Sequence, residues 1–220
     1  LASESVHDTC VIFDLDGTLV DSEPLCNRAF LDLLPELDDT VEGLVRRYRG
    51  SRMAPVLEDL ERRLGRRLPA DFESVLRRRV AELFDEHLQV MPGALEMLAQ
   101  LDCAMCIASS GPMQKIRHSL RLSGLAPWFG ERVFSAYDVG SWKPDPGLFL
   151  HAANAMGFAP AQCIVVEDSE PGLLAARAAG MRVVHFSPSG EATVARADVR
   201  VTDLAEVPAY IAGARRCTTP

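Results

Sequence analysis

Lysine is almost missing from this chain. Of 23 basic side chains in 220 residues, only Lys115 and Lys143 are lysines; the rest are arginine. Bulk positive charge is missing as well, since 31 acids leave a formal net charge of −8 and a pI near 5.2. That excludes a nucleic-acid binder working through overall charge. No apolar run approaches the ~18 residues of a membrane span, so no membrane partner is expected. Leu1 to Asp8 is polar and includes Glu4 and Asp8. It lacks the basic flank and apolar centre of a secretory leader, and a cytoplasmic location is expected. Paired metal-binding cysteines are lacking too. Cys103 and Cys106 form a C-x-x-C, yet they sit in the apolar run Cys103-Ala104-Met105-Cys106-Ile107-Ala108. Residues three apart on a strand point to opposite faces, so these thiols would not converge. Cys10 and Cys163 fall in similar runs. Six reduced, mostly buried cysteines are expected.

What is present is an alternation of short apolar runs and helical patterns. The runs Thr9–Phe13, Ala104–Ala108, Arg132–Ser135, Gln162–Val166, Arg182–Phe186 and Asp198–Thr202 read as strands. Between them, Gln114–Ser123 stops at Gly124, Pro146–Met156 at Gly157 and Pro171–Ala179 at Gly180. Proline inside the start and glycine past the end are helix punctuation. Continuously apolar strands alternating with helices imply a parallel sheet covered on both faces, a doubly wound α/β core. One interval breaks the rhythm. From Leu19 to about Val90 the helical stretches Glu23–Leu34, Asp39–Arg47, Met53–Leu64 and Asp71–Leu88 follow one another without a convincing strand. The expected organisation is an α/β core of residues 1–18 and 90–220 with an all-helical insertion at 19–89. The insertion is rich in arginines interleaved with acids, which reads mostly as solvated helix faces.

Four clusters carry chemistry, each at the C-terminal end of an expected strand, the edge where open parallel sheets bind ligands. Val11-Ile12-Phe13-Asp14-Leu15-Asp16-Gly17-Thr18 releases two carboxylates one residue apart before a turn glycine. One carboxylate can attack phosphorus while the other moves protons. Ser109-Ser110-Gly111-Pro112 closes the second strand and opens onto a helix. A hydroxyl with exposed backbone N–H groups makes an anion site there, although ordinary turns share this composition. Lys143 precedes a helix start, where the helix dipole makes a cation unhelpful for stability. That position, and the scarcity of lysine, favour a charge kept for carboxylate and phosphate. Glu167 and Asp168 end a buried strand. Adjacent buried acids need a cation or donors, and oxygen ligands beside a phosphate suit magnesium.

Together, and in this order, the motifs resemble those of the haloacid dehalogenase-like hydrolases, from Val11 to about Thr202. The resemblance implies a Rossmann-like core with a small helical cap. It implies that Asp14 is nucleophile and magnesium ligand. Asp16 would be the acid/base, binding magnesium through its backbone carbonyl. Ser109 and Lys143 would hold the phosphoryl group, with Ser110 and Gly111 beside it. Asp168 would be a metal ligand, and Glu167 a second one. Dehalogenase and phosphonatase branches lack an aspartate at the position of Asp16, so its presence points to phosphate esters.

Within the family the similarity is to phosphatases of phosphorylated sugar acids. It runs through Val20-Asp21-Ser22-Glu23, Cys26, Arg28-Ala29, Arg49-Gly50, Ser109, Gly111-Pro112, Lys115, His118-Ser119, Tyr137-Asp138 and Trp142-Lys143-Pro144-Asp145-Pro146. Ser110 departs from the asparagine typical there. A β-phosphoglucomutase-like phosphosugar mutase is the alternative, weakened by Cys26 and Met53 where that branch has histidine and arginine. A non-catalytic phosphometabolite binder would have no need of Asp16. The expected partner is a small phosphorylated metabolite. Arg49 and Arg52, in a break between two insertion helices, are expected to meet a substrate carboxylate.

Overall fold

Each apolar run becomes a strand. In the computed structural model, which describes residues 8–190 and 197–216, these are β1 (Cys10–Phe13), β2 (Ala104–Ser109), β3 (Val133–Ser135), β4 (Cys163–Glu167), β5 (Arg182–Phe186) and β6 (Val199–Val201). All pair in parallel, in the order β3-β2-β1-β4-β5-β6. The central strand is fully buried, with Cys10 in register with both Ala104 and Cys163.

Side chains alternate between the faces as the two-residue period of a strand requires. Val11, Phe13, Ile107, Ile164 and Val166 enter one apolar cluster; Ile12, Cys106, Ala108 and Val165 enter the other. The C-x-x-C therefore splits across the sheet, Cys103 packing against the first cluster and Cys106 lying within the second. Cys10, Cys106 and Cys163 are buried and free; Cys26 and Cys103 are half-buried and free. Cys217 lies outside the described residues.

Between β1 and β2 run α1 (Glu23–Leu33), α2 (Val41–Tyr48), α3 (Met53–Leu64) and α4 (Phe72–His87). Their punctuation is local: Thr40 caps α2 by accepting the Gly43 N–H at 3.0 Å, and Gly65 ends α3 in the left-handed conformation. These four helices enclose a third apolar cluster, which includes Phe30, Leu44, Val56, Leu60 and Leu76. Several insertion arginines are paired: Arg63 with Asp39 at 2.6 Å, and Arg79 with Asp32 at 2.7 Å. The two connections to the core lie side by side. Val20 and Val90 form an antiparallel bridge, Asp21 N–H donates to Gln89 at 3.0 Å, and Met91 N–H donates to Leu19 at 2.8 Å.

The later helices are α5 (Ala94–Gln100), α6 (Met113–Leu122), α7 (Ala126–Phe129), α8 (Ala136–Val139), α9 (Gly147–Met156), α10 (Glu170–Ala178) and α11 (Val207–Arg216). Through Met97, Ile116, Phe129 and Ile211, α5, α6, α7 and α11 cover the first face. Through Ala136, Phe149 and Leu173, α8, α9 and α10 cover the second. Among the described residues no helix is long and apolar enough to cross a membrane.

Leu60 is fully buried in the third cluster. Leu60→Ala should lower stability by about 2–5 kcal/mol, the range for a buried leucine that leaves a cavity. Leu95→Ala, on a residue 36% exposed, should change it by less than about 1 kcal/mol. Urea unfolding of the two variants measures the contrast.

Candidate active site

β1 stops at Phe13, but its pairing continues for one residue: Asp14 N–H donates to Val166 at 3.0 Å. Asp14 thus leaves the sheet beside the end of β4. Gly17 follows with φ +80°, and a Cβ there would lie 2.6 Å from Asp168 Oδ2. Only glycine permits both that backbone conformation and that approach. The next residue uses the proximity, since Thr18 Oγ1 donates to Asp168 Oδ1 at 3.1 Å.

Lys143 closes the group from the segment between α8 and α9. Its ammonium, 4% exposed, donates to Asp14 Oδ1 and to Glu167 Oε2, the latter at 2.7 Å. Glu167 Oε1 accepts from the backbone N–H and the hydroxyl of Ser169, at 3.0 and 2.8 Å. Burial raises the Asp14 carboxyl well above the ordinary range and Glu167 raises it further, with Lys143 opposing. Asp168 is raised by burial and then by the neighbouring carboxylates Glu167, Glu23 and Asp14. For Lys143, burial works against the charge, but Asp14 and Glu167 outweigh it and raise its pKa. One ammonium holds Asp14 and Glu167 together in a buried space.

Asp16 stands apart from this group. Ser22, at the start of α1, donates its hydroxyl to Asp16 Oδ1 at 2.5 Å instead of capping the helix. Lys115 on α6 donates to the same oxygen at 2.6 Å. Burial would raise Asp16, but the charge and hydrogen bond of Lys115, with Ser22, bring it below the usual carboxylate value. Neither partner was assigned a role from the sequence. The scarcity that singles out Lys143 applies equally to Lys115, so the signal for it was available. Ser22 and Thr18 left none, because nothing in a local pattern aims a hydroxyl across a turn.

Ser109 ends β2, buried, its Oγ accepting the Gly111 N–H at 3.1 Å. Ser110 and Gly111 line a cavity of about 860 Å³, together with Asp14, Asp16, Lys143 and Asp168. That volume suits a small ligand. Cys26, Arg52, Arg77 and Phe84 of the insertion form further walls, with Lys115, His118, Tyr137 and Trp142 of the core. Arg49 and Arg52 do lie in the break between α2 and α3. Arg49 pairs with Glu23 at 3.1 Å and lies 3.8 Å from Asp168. Arg52 stacks over the Trp142 ring, 4.5 Å from its centroid.

Asp14, Glu167 and Asp168 present carboxylate oxygens within 4.8 Å of one another. The donor set is all oxygen, and three buried carboxylates outnumber the one lysine among them. These residues fit a hard divalent ion such as magnesium.

The model of the haloacid dehalogenase-like hydrolases matches residues 9–180. The chain belongs to that family. Among curated proteins it is 38% identical over 179 residues to the 6-phosphogluconate phosphatase of Escherichia coli, covering 80% of this chain and 81% of that protein. It is 32% identical to hexitol phosphatase B of the same organism, over 90% and 93% of the two chains. A conserved haloacid dehalogenase-like protein from Agrobacterium tumefaciens superposes with a TM-score of 0.81 at 31% identity, over 93% of this chain and 97% of that one. The chain is a phosphatase of this family.

Stability of the metal-free hydrolase should carry the charge imbalance. A carboxyl whose folded-state pKa lies above its unfolded value of ~3.9 holds its proton longer in the folded state. Stability is therefore present below that unfolded value and falls as pH rises through the folded pKa values of Asp14 and Asp168. At neutral pH, Asp168→Asn should preserve or raise the Tm of EDTA-treated protein. It should also abolish the Tm increase that magnesium gives the unsubstituted chain. A lower metal-free Tm with an undiminished magnesium response would contradict this account.

Proposed function

We propose that the chain is a magnesium-dependent phosphatase of a small phosphorylated metabolite, acting through a phosphoaspartate on Asp14. In this reading residues 19–89 are a cap over a hydrolase core of residues 1–18 and 90–220. The observation that carries it is the separate bracing of two carboxylates beside one cavity: Asp14 by Lys143, Asp16 by Ser22 and Lys115. A binding protein would gain nothing from holding them apart.

Asp14, Asp168, Glu167 and the Asp16 carbonyl would hold magnesium. When bound, the ion supplies positive charge to the phosphoryl oxygens. An Asp14 oxygen attacks phosphorus and the ester O–P bond breaks. Asp16 gives its proton to the departing alcohol oxygen. Asp16 is ionised at the outset, held so by Lys115. The arriving phosphate adds negative charge beside it and raises its pKa, so that Asp16 takes up a proton from solvent, and that is the proton it gives to the departing oxygen. Water then attacks the phosphoryl group, Asp16 takes its proton, and the bond from phosphorus to Asp14 breaks. Lys143, Ser109 and the amides of Ser110 and Gly111 hold the phosphoryl oxygens, at the N-terminus of α6.

A phosphorylated sugar acid is the substrate class to try first. 6-Phosphogluconate is the starting compound, given the relative of that name. A mutase reading has one supporting observation: a putative β-phosphoglucomutase from Thermotoga maritima superposes with a TM-score of 0.75 at 26% identity. Phosphate release favours the phosphatase and sugar isomerisation the mutase. Against the mutase, Cys26 lines the cavity where that branch has histidine.

Asp14→Asn should abolish turnover of every ester. Asp16→Asn should lower it by roughly 10²–10⁴-fold, the range for losing an acid/base. The loss should be smaller for p-nitrophenyl phosphate, whose leaving group needs no proton, than for an alkyl phosphate. Equal losses on the two would refute Asp16 as the acid. EDTA should abolish activity and magnesium restore it.

A further inference from the structure

We propose that Trp142 is a positioning residue for Lys143, held in place by a clasp that reaches from the helical insertion to the core. The inference rests on the phosphatase reading for its kinetic consequence, but the clasp itself stands on geometry. Arg52, at the start of α3, lies 4.5 Å over the centroid of the Trp142 ring. Trp142 meets Tyr137 edge to face at 5.4 Å. Arg77 on α4 covers Tyr137 at 5.5 Å and donates to its hydroxyl at 3.0 Å. Two arginines from two insertion helices thus grip two aromatic rings of the core, and Trp142 is the residue immediately before Lys143.

Arg52 does nothing for its own helix. It occupies the N-cap of α3 without capping it, where the positive end of the helix dipole disfavours a cation and a small polar residue serves better. Among the described residues no acid pairs with it. A weakly hydrated guanidinium on an indole face is a favourable alternative. The other face of the tryptophan's surroundings is the apolar cluster under the sheet, against which Trp142 packs with Phe134 and Val139. The indole is therefore held between insertion and core, and it also lines the cavity.

The clasp has leverage that the contacts between α4 and α6 lack. Phe84 and Asp85 meet Lys115 and His118 of α6, within about one turn of the connection at Leu88–Val90. Arg77 lies about three turns earlier on α4, roughly 16 Å along the helix axis. A rotation about the Val20–Val90 bridge would displace Arg77 much further than Phe84. Closing the insertion seats Arg52 on Trp142, and so couples closure to the aim of the Lys143 ammonium at Asp14.

The chain has two tryptophans, Trp128 and Trp142, so Trp128→Phe leaves Trp142 as the sole emitter. In that background Arg52→Met should shift the emission of Trp142. Arg46→Met, on an exposed arginine outside the cavity, should not. With p-nitrophenyl phosphate and magnesium, Arg52→Met should lower kcat/KM by about 3- to 10-fold, the scale of one cation–π contact. Its Tm should match that of Arg46→Met, and Arg52→Lys should recover most of the loss. Adding Arg52→Met to Trp142→Leu should cause no further loss. Multiplying losses in the double variant, or an unshifted emission, would overturn the clasp. A shifted emission with unchanged kcat/KM would overturn the positioning role alone. If Trp142→Leu does not fold, the Arg52 kinetics and emission decide. If the unsubstituted chain hydrolyses no phosphate ester, the phosphatase reading fails and the positioning role with it, while the emission still tests the contact.

Discussion

A buried ammonium between two carboxylates is the constraint on which the site depends. Lys143 can sit nearly dry because Asp14 and Glu167 satisfy it, and they in turn are tolerable only because it is there. Removing one partner of such a group strands the others in a medium of low polarizability. The sheet provides the frame: Asp14 follows β1, Glu167 ends β4, and the two strands are hydrogen-bonded neighbours. With Asp168 added, negative charge still exceeds positive, and the surplus is the opening for a divalent ion. In the proposed function, catalytic chemistry and structural compensation use the same atoms.

The two aspartates of one short motif are separated by their lysines. Lys143 holds Asp14 in the buried group, while Lys115 and Ser22 draw Asp16 toward the cavity. One residue of sequence between them places the carboxylates in different electrostatic surroundings, as the proposed roles of nucleophile and proton carrier require. The helical insertion supplies Ser22, Glu23 and Arg49 close by. Gly50 comes so near that a Cβ there would lie 2.8 Å from Ser169 Cβ.

Much of this was legible in the sequence because it is local. All six strands appear as apolar runs, and α3 runs from Met53 to Leu64 as its pattern and Gly65 require. The acids and Lys143 could be singled out because charge at the end of a buried strand violates an ordinary rule of burial. What could not be read were contacts made across the fold. Thr18 with Asp168, Lys115 with Asp16 and Arg52 with Trp142 join residues 90 or more positions apart. Arg49 and Arg52 illustrate the difference. The break in periodicity that contains them was visible, but Glu23, Asp168 and the indole that engage them belong to other elements. Helices α5, α7, α8 and α11 were also missed, being short or weakly punctuated.

The most direct test of the account is where the phosphoryl group goes first. A phosphate ester labelled on phosphorus, mixed with magnesium-loaded enzyme and quenched in acid within a single turnover, should leave label on the peptide that contains Asp14. That label should vanish on treatment with hydroxylamine and be absent from Asp14→Asn. Full turnover with no protein-bound label at any time, or label persisting in Asp14→Asn, would contradict it.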